Sequence, residues 1–247
     1  MKTSNKAPRF FFEEKILDEN LSENKLIILD KKTIHQIKNV LRKKTGEKII
    51  ILDGSGSEFF GTISELSRKE IIVEKNKIIF HKKDNFENET QKIILAASIL
   101  KKDNFEFVLQ KCTEIGVKNF QPIISERTEK NNLNFERLNK ILKEASEQSE
   151  KKFLPEILKP KKIEEFLSQQ ITENIFALEF NCDDFKISEF RKMTGEIIFL
   201  VGPEGGWGES DIKIFEKFNV QKISFGSQIL RAETASIALA SLLFLGK

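Results

Sequence analysis

Ile197-Ile198-Phe199-Leu200-Val201 runs directly into Gly202-Pro203-Glu204-Gly205-Gly206-Trp207-Gly208. Shortly afterwards Phe225-Gly226-Ser227-Gln228 leads through Ile229-Leu230-Arg231-Ala232-Glu233-Thr234-Ala235. Five apolar residues without alternation read as a strand buried on both faces, the habit of a parallel sheet covered by helices. A glycine-rich bend at the carboxyl end of such a strand is where open α/β sheets place small ligands. The bend lacks the Lys-Ser/Thr of a phosphate loop and the spacing of a dinucleotide fingerprint, so triphosphate and nicotinamide readings are weak. It offers backbone donors and acceptors that can close on a flat ligand, with Glu209 and Asp211 favouring the helix start behind it.

Upstream, strand and helix patterns alternate. Ile93–Ala97, Phe120–Ile124, Ile175–Leu178, Ile197–Val201 and Lys222–Phe225 read as strands. Asp103–Ile115, Asn134–Gln148, Glu209–Phe218 and Ala235–Leu245 read as helices, the first with an acidic N-cap candidate, a one-sided apolar stripe and Gly116 as its stop. That order predicts an α/β domain with a predominantly parallel sheet over residues 92–247. Before it the grammar differs. A short helix is expected at Thr33–Arg42, then strands at Lys48–Leu52, Glu58–Ile63 and Glu70–Phe80 with Asp53-Gly54-Ser55-Gly56 as a hairpin turn, which makes a small β-barrel or sheet of residues 1–80. Residues 81–91 are polar and read as the linker.

Composition narrows the function. Among 247 residues, 39% hydrophobic and 32% charged with only 12 Gly and 5 Pro describe a chain able to bury a core rather than a disordered or fibrous one. No apolar run reaches the ~20 residues that span a bilayer, and Met1–Arg9 lacks a secretory core, so a cytoplasmic location is expected. Cys112 and Cys182 lie far apart with only His35 and His81 for company. Neither a disulfide framework nor a metal site is expected. Residues 1–80 carry 16 Lys and Arg against 12 Asp and Glu, whereas the remainder is near balance. Lys31–Lys48 alone holds seven basic side chains and one acid around His35. Such density suits phosphate neutralisation, and equally a solvated helix face. Arg231 and Glu233, two residues apart, are candidates for a site or for a plain surface pair. Ala235, Ala238 and Ala240 permit close approach of a partner helix or of the chain itself.

Five separated motifs, Gly202-Pro203-Glu204-Gly205-Gly206, Ile229-Leu230-Arg231-Ala232-Glu233-Thr234-Ala235, Glu114-Ile115-Gly116-Val117, Glu144-Ala145-Ser146-Glu147-Gln148-Ser149 and His35 with Val40-Leu41-Arg42, together resemble the RsmE family. Its members are 16S ribosomal RNA uridine N3-methyltransferases of the SPOUT class. The resemblance runs over essentially the whole chain in the right order. It implies a PUA-like RNA-binding domain followed by a SPOUT α/β domain with a C-terminal trefoil knot, a homodimer, and S-adenosylmethionine as methyl donor. It further implies cofactor contacts at Leu178, Glu179, Val201, Gly202, Gly205, Gly206, Phe225, Gly226, Ile229 and Leu230, and RNA contacts at Arg9, His35, Lys38, Arg42, Lys43, Lys101, Arg127 and Gln148. Arg231, Glu233 and Glu204 are the implied catalytic candidates. Arg231 is the one expected to stabilise a uracil anion, and no base is assigned. The chain departs from the family pattern at Gln228 and Lys151, where Arg is common, and at Gly208, where Ser or Thr is. Ribose 2′-hydroxyl methylation and a non-catalytic RNA-binding assembly factor are the competing readings.

Overall fold

The computed structural model describes residues 7–12, 21–22, 24–81, 91–101, 103–129, 132–184, 187–190 and 192–245. They fall into two compact units, residues 1–86 with 147–154, and residues 87–146 with 155–247. Of the linker expected at 81–91, only His81 and Gln91 lie within the described residues.

The first unit is a six-stranded sheet in the order β1-β4-β5-β6-β3-β2, made of β1 (Arg9–Phe11), β2 (Leu21–Ser22), β3 (Lys25–Ile28), β4 (Lys48–Leu52), β5 (Ser57–Leu66) and β6 (Ile71–Phe80). Only the β1–β4 pair is parallel. Phe10, Ile28, Ile49, Ile51, Phe59 and Val73 fill its core. The expected helix is present as α1 (Lys31–His35), capped by Asp30, whose carboxylate accepts from the amides of Lys32 and Thr33 at 3.3 and 2.7 Å. It widens over Gln36–Val40 into a π-turn, which the Leu41 amide closes on the Gln36 carbonyl at 2.9 Å. Arg42 then turns the chain at φ 50°, a left-handed conformation uncommon for a non-glycine residue.

The second unit is a parallel sheet in the order β10-β8-β7-β12-β11-β13, with β9 also on β8. Its strands are β7 (Gln91–Ser98), β8 (Asn119–Ile124), β9 (Glu156–Ile157), β10 (Lys161–Lys162), β11 (Ile175–Asp184), β12 (Gly195–Val201) and β13 (Gln221–Ser224). Alternate residues of each central strand serve opposite cores. Leu95, Ala97, Ile197, Phe199 and Val201 meet α2 (Asn104–Ile115), α3 (Phe135–Gln148), α5 (Ile187–Phe190) and α7 (Ala232–Phe244). Ile94, Ala96, Ile198 and Leu200 meet α4 (Ile163–Ser168) and α6 (Glu209–Lys217). That is why β12 reads as uninterruptedly apolar. Asp103 precedes α2 as expected, yet sits in helical backbone and makes no side-chain cap bond. Strand β11 continues past the expected Leu178, and its pairing with β13 slips between Leu178 and Asp183, so residues 179–182 leave the ladder.

Candidate active site

Three bends meet at the carboxyl ends of adjacent strands: the slip in β11, the glycine loop after β12, and the turn after β13. Between them lies a cavity of about 590 Å³. Leu178, Glu179, Val201, Gly202, Gly205, Gly206, Phe225, Gly226, Ile229 and Leu230, the ten residues expected to hold a cofactor, all line it, as do Glu204, Arg231 and Glu233. Asn104, Phe180, Trp207, Gln228, Ala232 and Ala235 complete much of the wall and were not among the residues assigned to the cofactor from the sequence. Trp207 had a visible signal, as the single tryptophan of the chain inside the glycine loop.

The loop's glycines have physical reasons. Gly206 and Gly226 have φ of +69° and +82°, where a side chain is strained, and a Cβ at either would meet nothing within 4 Å. They keep cavity walls bare. Gly202 is different: its α-carbon backs onto the Trp207 indole, which a Cβ would approach to 3.1 Å. Trp207 is 7% exposed and donates from Nε1 to the Leu178 carbonyl at 2.8 Å. Across the cavity, Ser224 Oγ donates to the Cys182 carbonyl at 3.1 Å and the Gly226 amide lies 3.3 Å from that hydroxyl.

Each catalytic candidate has a distinct setting. Arg231 is the N-cap residue of α7, exposed, with extended backbone. Glu233, in the first turn of α7, has Oε2 buried with no hydrogen-bond partner among the described residues. A pairing of Arg231 and Glu233 through that oxygen is therefore not formed. Glu204 is exposed and its Oε1 accepts from the Lys101 amide at 2.9 Å, which fixes the loop to the segment after β7.

The RNA-binding candidates divide. His35, Lys38, Arg42 and Lys43 stand on or just after α1, and Lys43 is tied to Glu47 at 2.9 Å. Arg9 is committed inside its own unit, where it pairs with Glu58, a carboxylate 2% exposed that also meets His81 at 2.6 Å. Lys101 pairs with Glu129 at 2.6 Å, and hydrogen bonding to that carboxylate together with its charge raises the lysine above its ordinary pKa. Arg127 turns one guanidinium nitrogen onto the Gly205 carbonyl at 2.7 Å, so it braces the cavity loop. Gln148 is exposed at the end of α3. The departures at Gln228 and Gly208 also lie here: Gln228 is an exposed lining residue, and Gly208 is buried at the head of α6.

The cavity suits a nucleoside joined to an amino acid. Its volume falls within the usual range for small-molecule sites, two glycines leave backbone uncovered, and the unpartnered Glu233 oxygen can accept from a ligand hydroxyl or ammonium. Among the described residues no group of three His, Cys, Asp or Glu could hold a metal ion.

Residues 87–244 match the model of an RNA methyltransferase domain, and residues 29–76 that of an RNA methyltransferase PUA domain. Ribosomal RNA small subunit methyltransferase E of Rickettsia conorii is 29% identical over 93% of this chain and 94% of its own. Its namesake from Mesomycoplasma hyopneumoniae is 30% identical over 94% and 96%. Among solved structures, ribosomal RNA small subunit methyltransferase E from Neisseria gonorrhoeae, crystallised bound to S-adenosyl methionine, superposes with a TM-score of 0.80 at 29% identity and covers 96% of each chain.

Proposed function

Because the chain belongs to the RNA methyltransferase family of the ribosomal RNA small subunit methyltransferases E, we propose that it methylates small-subunit ribosomal RNA from S-adenosylmethionine. The acceptor in this reading is N3 of a uridine in 16S RNA. The observation that carries it is the convergence of all ten expected cofactor residues on one cavity.

When bound, the sulfonium group supplies an electrophilic methyl and leaves as a neutral thioether. The chain's own residues supply the rest. Gly202, Gly205, Gly206 and Gly226 would hold the donor by backbone, Trp207 fixes the wall behind it, and Glu233 Oε2 would be an acceptor for it. Uracil N3 gives up its proton to water before it takes the methyl, so negative charge gathers on O2 and O4 of the ring as the proton leaves and is neutralised when N3 bonds the methyl. The Arg231 guanidinium, at the mouth of α7, stabilises that charge with its planar donors. Alignment of methyl and N3 within a closed wall supplies much of the rate, as positioning generally does. Cations on α1 supply sequence-independent phosphate contacts, and selectivity comes from RNA shape.

The reading includes a homodimer, a cytoplasmic location and the trefoil threading of the last segment. The exposed Ile229, Leu242 and Leu245 support a partner along α7. No helix among the described residues is long and apolar enough to cross a membrane. The deciding experiment incubates purified protein with methyl-labelled donor and small subunits lacking the mark, followed by nucleoside identification. Label in N3-methyluridine is expected. Label in a 2′-O-methyl nucleoside moves the acceptor to ribose, and no label with retained RNA binding leaves only an assembly factor.

A further inference from the structure

An α-helix begins with amides that lack intrahelical partners, and a side-chain oxygen at the N-cap normally takes the second or third of them. At the head of α6 the N-cap is Gly208, with φ −87° and ψ 172° and no side chain to give. Half of a capping box is present: Asp211, 1% exposed, accepts from the Gly208 amide at 2.9 Å. The other half arrives from a different strand. Glu126, in the turn after β8, accepts from the Ser210 amide at 2.8 Å and from Ser210 Oγ at 2.5 Å, both through Oε2. Asp211 returns the bond, accepting from the Glu126 amide at 3.1 and 3.3 Å. A Cβ built on Gly208 would overlap the carboxylate carbon and both oxygens of Glu126. The carboxylate therefore fills the space a capping side chain would take. The neighbouring Arg127 holds the Gly205 carbonyl at 2.7 Å, so one turn grips both the middle of the glycine loop and the helix that ends it.

We propose that Glu126 is the N-cap of α6 supplied from outside the helix and that, with Arg127, it is a positioning residue for the Gly202–Gly208 wall of the cavity. Glu126 and a capping side chain at position 208 are alternative solutions to one problem, since a side chain there would displace the flexible end of Glu126. The affinity part of this proposal rests on the methyl-donor reading of the cavity; the capping part does not.

Full-length wild type, Glu126→Ala, Glu126→Gln, Gly208→Ser and the double variant Glu126→Ala/Gly208→Ser are compared by thermal unfolding and by calorimetry with S-adenosylmethionine. Glu126→Ala is expected to lower the unfolding midpoint by about 2–4 °C and to weaken donor binding several-fold, and Glu126→Gln, which keeps an acceptor oxygen, to lose less. Gly208→Ser alone is expected to change the midpoint little, because its hydroxyl takes over the cap as the flexible end of Glu126 moves aside. The double variant is expected to recover most of both losses, since the serine then caps in a vacated space. A double variant as unstable as the sum of its parents, or a Glu126→Ala protein indistinguishable from wild type, overturns the proposal. Absence of donor heat in the wild type would defeat the methyl-donor reading, and the unfolding cycle would still decide the cap.

Discussion

Trp207 Nε1 donates to the carbonyl of Leu178 across 2.8 Å and so ties the glycine loop after β12 to the bend that leaves β11. The indole is 7% exposed, lies edge-on to Phe215 at 5.0 Å between centroids, and supports the back of Gly202. Two walls of the cavity thus share one hydrogen bond. Trp207→Phe keeps most of the apolar contact and leaves the Leu178 carbonyl without its donor, a loss of about 1–3 kcal/mol where water cannot substitute. The variant is expected to stay folded and bind S-adenosylmethionine several-fold to a hundredfold more weakly by calorimetry. Because Trp207 is the only tryptophan, its emission reports on this wall alone. Donor titration of the wild type is expected to change it, and a flat titration alongside calorimetric binding would place the donor elsewhere.

Arg231 stands at the mouth of α7 and lines the cavity with its side chain exposed, the place for a cation that meets an incoming base. Arg231→Ala is expected to leave donor affinity within a few-fold and to abolish methyl transfer in the labelled-subunit assay. Arg231→Lys keeps the charge without the planar donors and is expected to recover only part of the rate. Undiminished turnover in the alanine variant would remove Arg231 from the chemistry.

The cavity was legible in the sequence because its parts are local. A strand buried on both faces shows as an unbroken apolar run, and a positive-φ bend shows as a glycine, so Ile197–Val201 and the bends at Gly206 and Gly226 announce themselves. What holds the bends is not local. Glu126 reaches Ser210 across 84 positions, and Arg127 reaches Gly205 across 78; no periodicity encodes such a meeting. The same limit hides the meeting of Arg9 with buried Glu58, 49 positions on. It explains β11 too, whose slip at residues 179–182 is set by its pairing with β13. Helix α4, only Ile163–Ser168, is too short to show a helical period.

Gly226 and Gly61 separate two reasons for glycine. Gly226 has φ +82° and open space beside it, so Gly226→Ala costs backbone strain alone, about 1–2 kcal/mol, spent at the cavity. Reduced donor affinity with a small change in unfolding midpoint is expected. A Cβ on Gly61, in β5, would overlap the Val73 side chain and the Glu74 carbonyl oxygen. Gly61→Ala is expected to destabilise the first unit markedly and leave donor binding by the folded protein unchanged. Equal effects from the two variants would contradict this division.

Cys112 lies fully buried on α2, where desolvation pushes its thiol up to about 12. A neutral, enclosed thiol is a poor nucleophile. At pH 8 it is expected to resist alkylation in the native protein and to react once the chain is unfolded, with peptide mapping identifying the site. Rapid native labelling of Cys112 would mean that α2 opens far more readily than its packing suggests.

Glu58 provides a pH test of the first unit. Burial pushes its carboxyl up, but hydrogen bonds from His81 and Arg9, with the Arg9 charge, outweigh burial and hold it below the ordinary value of 4.5. A carboxyl depressed by folding contributes stability that is fully present above its unfolded pKa and is lost as pH falls through the folded one. The unfolding midpoint is therefore expected to hold steady in this respect above about pH 5 and to decline below about 4.5. Glu58→Gln removes the titrating group, so its profile is expected to be lower at neutral pH and flatter on the acid side. Arg9→Ala leaves a carboxylate only 2% exposed without its guanidinium, which costs about 3–5 kcal/mol where a buried pair is broken. That loss is expected to shrink in acid, where protonated Glu58 no longer needs the cation. Parallel acid limbs for wild type and Glu58→Gln would show that other carboxylates set the decline and that Arg9, Glu58 and His81 are merely neighbours.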